Sequence, residues 1–264
     1  MMSLFTSWAT VLEMIKMAET RMLPVRQALL IAYMTGVLWL RRNPMSLVFT
    51  AISPFSLLFV LFVISGGQYI HFAVAGSLVM ALVGYGLALG QDISFYKTEY
   101  KVQDVFVASS VSPLTYMAGL ALSELLFGLP ALAVLATLVV YFGSIFSIPL
   151  LVATILLIWG AMSAMGFFLS SHMLHMRNAT QVISFVNVIL AVLPPVFYSI
   201  DIMPAVLRPL AYAVPTTHAS LMLQYIMGLP TAADWSLGFG FAIQIAYLVG
   251  FIMLAKTKAI WREN

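Results

Sequence analysis

Long stretches without a charge, punctuated by glycine, proline and short polar clusters, dominate this chain. No Asp, Glu, Lys or Arg occurs from Asn43 to Gln91, and the pair Gly66 and Gly67 divides that run in two. From Val105 to Met176 the one charged residue apart from its flanks is Glu124, and the Gly143 to Pro149 segment, GSIFSIP, is the natural turn. A membrane-crossing helix takes about 20 mostly apolar residues, because the hydrocarbon core offers its backbone no water. The pattern therefore predicts spans at about 45–65, 70–91, 113–142, 148–171, 178–200 and 235–255, the fifth closing at Pro194 and Pro195.

Two further segments are apolar without crossing. Trp8, Val11, Leu12, Ile15, Ala18 and Met22 recur at helical spacing, with Glu13, Lys16, Glu19 and Thr20 turned the other way and Pro24 ending the pattern. That is a helix lying flat on the inner membrane surface. The next apolar run, Ala28 to Leu40, is too short to cross comfortably and reads as an interfacial helix leading into the first span. Pro209 to Ala233 is long enough, but Pro209, Pro215, Gly228 and Pro230 interrupt it. With six crossings and an inner N-terminus, 11 of the 12 Lys and Arg residues lie on the cytoplasmic side and only Arg208 lies outside. A seventh crossing would carry Lys256, Lys258 and Arg262 to the wrong face. Residues 203–227 are therefore expected to dip into the outer leaflet and return, with their backbone covered by neighbouring helices.

The expected fold is an all-α integral membrane protein in one domain, 1–264, with both ends cytoplasmic. It has interfacial helices over 1–42, six transmembrane helices, a helical inner loop over 92–112 and an outer re-entrant helix pair. Composition strengthens this picture: the 264 residues are 62% hydrophobic and only 8% charged, against about a quarter charged in soluble domains. Nothing is left for a soluble catalytic domain. The net charge of +3 comes without a block of like charges, so it reports topology and not nucleic-acid affinity.

Several chemistries drop out. Without cysteine there is no disulfide or thiolate nucleophile. No Gly-Lys dipeptide occurs, hence no P-loop, and neither G-x-S-x-G nor H-E-x-x-H is present. His172 and His175 are three apart but have no third ligand nearby in sequence, so no metal or other cofactor is expected on this chain. Tyr69, Trp159, Tyr198, Tyr212 and Trp235 are expected either in the interfacial aromatic belts, the default for such residues, or in the lining of a cavity.

Glu124 is the one carboxylate inside an expected span. It stands about 16 Å along the helix from Pro113, near mid-membrane, where a charge is costly and marks a translocation-path candidate. A packing role is the competing reading. In the second span, Gly86 and Gly90 form a small-xxx-small pair that can let helices approach closely, as glycines commonly do in membrane helices, and a contact with a second copy is one candidate use of it. The inner loop carries five charges, with Phe95, Val102 and Phe106 near one side at helical spacing and Tyr96 and Glu99 adjoining. It predicts an amphipathic helix over 92–106 that docks its apolar face on a soluble partner, with a surface loop lying on lipid headgroups as the competing reading. Ser112 and Pro113 then supply an N-cap and a favoured first residue for the third span.

The order of these features resembles the ABC-2 family of ABC transporter permeases, the type V exporter fold, over nearly the whole chain. Two local patterns carry the resemblance. Glu99 is followed by VFVASSVSP at Val105 to Pro113, similar to the family's acidic-then-apolar stretch before its third span, although the usual Gly-Thr after the Glu is absent. Asp201 to Gly228 is similar to the family's Pro, Pro-Leu-Thr, Gly pattern, with Pro204, Pro215, Thr216 or Thr217 and Gly228 at the matching positions and Gln224 near a place often held by Arg. The resemblance implies a permease subunit of an ATP-driven exporter in the plasma or inner membrane. It would pair with a second copy or homologue and with two ATPase subunits that hold ATP and Mg. Phe95, Tyr96, Glu99, Val102 and Phe106 would couple it to the ATPase. The span lengths and the lack of a charged channel favour an amphipathic or lipid-linked substrate. An ion-coupled secondary transporter using Glu124 is the alternative; it predicts inverted repeats, and none is visible.

Overall fold

The computed structural model describes residues 24–258 apart from Tyr100, Ser110, Leu174, Ala233 and Asp234, so the surface helix expected over 8–22 lies outside the described residues. Helix α1 (Pro24–Ala32) runs through a π-helical stretch, Tyr33–Val37, into α2 (Leu38–Arg42). Then follow α3 (Met45–Ser65), α4 (Ile70–Thr98), α5 (Val102–Ala108), α6 (Pro113–Phe142), α7 (Ile148–Ser171) and α8 (Met176–Val192). A 3-10 turn at Ile200–Ile202, α9 (Arg208–Tyr212), α10 (Pro215–Ile226) and α11 (Leu237–Lys258) complete the described elements, all of them helical.

Local chemistry explains most boundaries. Gly66 and Gly67 take φ of 57° and 84° and close α3. The hydroxyls of Ser112 and Ser147 accept from the N–H groups of Thr115 and Leu150 at the starts of α6 and α7, each with a proline in the first turn. Among the described residues five helices, α3, α4, α6, α7 and α11, are long and apolar enough to cross a membrane. The expected span at 178–200 is shorter than predicted: α8 has 17 residues and stops at Val192, because neither Pro194 nor Pro195 has an N–H with which to carry the helical ladder on. The expected loop helix over 92–106 is instead two pieces. With no Gly or Pro after Gln91, α4 continues to Thr98, and Lys101, at φ 50°, turns the chain before α5.

Helix α4 is the axis of the bundle, packed by α3, α6, α7, α8 and α10. Close approach rests on small residues. A Cβ on Gly86 would stand 2.5 Å from Met162 Cβ, and one on Gly90 would stand 2.6 Å from the Gly166 carbonyl oxygen. The expectation that Gly86 and Gly90 meet a second copy is thereby corrected: both are buried against α7 of the same chain. Helix α1 lies on α6, where a Cβ on Gly119 would meet Ile31 Cβ at 2.6 Å.

Candidate functional site

Glu124 of α6, at 6% exposure, lines a cavity together with Asp92 of α4. A second span ending at residue 91 leaves Asp92 in a loop; the helix runs on, and Asp92 lies seven residues after Tyr85, on the same face. The unbroken helical stretch beyond Gln91 was the available signal.

Two cavities share Thr50 and Glu124 as lining. One, of about 220 Å³, adds Asp92 and the rings of Trp39, Phe95, Tyr96 and Phe127, with Trp39 and Phe127 edge to face at 5.4 Å between centroids. The other, of about 300 Å³, runs along α4 past Tyr85 and Gly84 to Ser77, facing Pro54, Leu57 and Asn187. The wall between α3 and α4 has a clear origin. Pro54 has no N–H to give the Thr50 carbonyl one turn back, and the Tyr85 hydroxyl donates to that carbonyl instead, at 3.0 Å.

The residues expected to dock an ATPase are distributed differently from the sequence expectation. Phe95 and Tyr96 are half-buried and face the first cavity. Phe106 is buried at 8% exposure against Tyr116, 5.1 Å between ring centroids. Val102 opens α5, and Glu99, Lys101 and Asp104 are exposed. The apolar side of this segment thus anchors it to its own bundle and the charged side looks outward. A Ser94 to Ser170 hydroxyl bond of 2.9 Å pins the end of α4 to α7.

The second motif folds into a buried knot around α10. Pro215 occupies its first turn, the Thr216 hydroxyl donates to the Leu190 carbonyl at 2.7 Å, and the Thr217 hydroxyl donates to the Ala211 carbonyl. Gly228 closes the segment at φ 72°, and Pro204 precedes the turn that Arg208 braces by donating to the carbonyls of Met203 and Asp201. Gln224 is buried and donates to Ser220 Oγ at 2.9 Å. Trp235 is not a belt residue: it is 7% exposed, and its indole N–H donates to His218 Nδ1 at 3.3 Å. His218 Nε2 must therefore carry the proton that it donates to the Tyr212 carbonyl, at 2.9 Å.

No curated protein matches the chain. A family profile described as ABC-2 type transporter matches residues 5–228, most of the sequence, and the protein belongs to that family, as the membrane permease and not the ATPase of an ABC transporter.

Proposed function

We propose that the chain forms half of the translocation pathway of an ATP-driven exporter, beside a second copy or homologue and served by two ATPase subunits that bind ATP and Mg²⁺. The observation that carries this reading is the continuity of α4. One unbroken helix holds Asp92, Phe95 and Tyr96 in the cavity wall and ends at Thr98, within a few residues of the exposed Glu99, Lys101 and Asp104. Force applied to α5 reaches the cavity through α4 and through the Phe106 to Tyr116 contact. In this mechanism Glu99, Lys101 and Asp104 touch the ATPase, while Phe95, Tyr96, Val102 and Phe106 transmit its motion. Glu124 faces the path, and the substrate is amphipathic or lipid-linked.

The proposed topology has six crossings, α8 being the fifth at about 25 Å for its 17 residues, with both ends cytoplasmic and α9 and α10 in the outer leaflet. Single cysteines at Ser147 and Asp201 should react with an impermeant thiol reagent from outside; those at Asp104 and Arg262 should not. Outside labelling at Arg262 overturns the topology. For coupling, the double charge reversal Glu99→Lys and Asp104→Lys should leave insertion intact and lower ATPase copurification by about tenfold, the scale of losing a charge-assisted contact. Parent-level copurification and transport would rule out this surface. Glu124→Gln should slow transport more than assembly, and unchanged transport returns it to a packing role.

A further inference from the structure

The stripe of α4 that lines the longer cavity has a chemical order of its own. Ser77, Ala81, Gly84 and Ala88, which line that cavity, and Asp92, which lines the other, recur every three or four residues and share one face, about 22 Å from end to end. At the lower end stands the buried carboxyl of Glu124, with Asp92 beside it in the wall of the first cavity. The middle is walled by Pro54, Leu57 and Met80. At the upper end the Ser77 side chain is 0% exposed and lines the cavity, yet its hydroxyl has no hydrogen-bond partner among the described residues. Asn187 brings a buried side-chain oxygen, also without a partner, to the same cavity. Polar atoms buried in this way are rarely left unsatisfied unless something else comes to them.

We infer that this slot binds an elongated amphipathic amine, its ammonium group at Glu124, its aliphatic chain along α4 and a hydroxyl or amide at Ser77 and Asn187. Both cavities lack a basic side chain among their described lining residues, so the cation that answers the carboxyl pair comes from the ligand. The rings of Trp39, Phe95, Tyr96 and Phe127 flank the same pair from the other cavity and attract a cation through their faces. The inference deepens the transport reading, and it rests on that reading only for where the amine goes after it binds.

The test uses the full chain in zwitterionic lipid nanodiscs, without ATPase or ATP, with empty nanodiscs as the blank. Calorimetry compares octylammonium with octanol, and octylammonium with amino-octanol. The ammonium should bind about tenfold tighter than the alcohol, the usual scale for a charge-assisted contact, and Glu124→Gln should erase that preference. Amino-octanol should bind a few-fold tighter than octylammonium, and Ser77→Ala should remove that gain alone. Equal binding of octanol and octylammonium by the parent chain, which needs no variant to fold, overturns the inference, as does an ammonium preference that survives in Glu124→Gln. Amine binding that persists where ATPase coupling fails would instead overturn the transport reading and leave this site standing.

Discussion

Helices α3 and α4 are both almost entirely apolar, yet one is the outside of the molecule and the other its axis. Along α3, Val48, Ile52, Phe59, Phe62, Val63 and Ile64 are all exposed, Ile64 to 78%. Along α4, Val74, Leu78, Leu82 and Val83 are wholly buried. Hydrophobicity cannot separate them, since lipid tails are as apolar as leucine and nothing drives one helix inward on that ground. Residue size can. Helix α3 has no glycine and one alanine, while α4 carries Gly76, Gly84, Gly86 and Gly90 among several alanines, so other backbones approach α4 closely enough to gain dispersion contacts. The exposed face of α3 is left for lipid or a second subunit.

The sharpest way to break this contrast is to thicken the axis. Gly86→Val would push a side chain into Met162 Cβ and the Ser163 main chain, 2.5 and 3.0 Å from the position of its Cβ. It should cost about 3 kcal/mol or more and yield little monodisperse protein on size exclusion. Gly84→Ala, half a turn away, meets nothing within 4 Å and should be neutral or stabilising by up to about 1 kcal/mol through helix propensity. If the two variants behave alike, the close α4 to α7 contact is not what holds the bundle.

A smaller effect separates the helices by truncation. Leu82→Ala in α4 removes a side chain at 0% exposure and should cost about 2 to 3 kcal/mol in reversible unfolding from mixed micelles. Val63→Ala in α3, exposed to 59%, should stay within about 0.5 kcal/mol. A large loss for Val63→Ala in the assembled complex, but not in the isolated chain, would mark its face as a subunit contact.

What was legible in the sequence follows the same division between local and tertiary causes. The limits of α3, α6 and α7 could be read directly, because Gly66 with Gly67, Ser112 with Pro113, and Ser147 with Pro149 set them within one turn. The buried α10 segment was also legible, since its prolines break a run whose backbone needs cover. The carboxyl that shares a cavity wall with Glu124 was not. Asp92 reads as the first polar residue of a loop until the helix is known to continue beside α6. The role of Phe106 was likewise hidden, because amphipathicity says that one face is covered and not by what. Tyr116, ten residues later on another helix, supplies the answer here. Gly86 and Gly90 show the same limit: a small-xxx-small pair predicts close approach, and only the fold says that the neighbour is α7.

The smallest expected effect probes a polar tie between the two helices compared. Tyr85 donates to the Thr50 carbonyl at 3.0 Å because Pro54 leaves that carbonyl without its helical donor. Tyr85→Phe should therefore cost about 1 kcal/mol, the net worth of an ordinary hydrogen bond in folding, read as a shift in the unfolding midpoint. Pro54→Ala supplies a main-chain N–H one turn after Thr50, so the carbonyl no longer needs the phenol. In that background Tyr85→Phe should cost close to nothing, and the double-mutant cycle should return most of the single-variant loss as coupling. If Tyr85→Phe costs the same with and without Pro54, the hydroxyl serves another group, and Glu124, which lines the same cavity, is the next residue to substitute in the cycle.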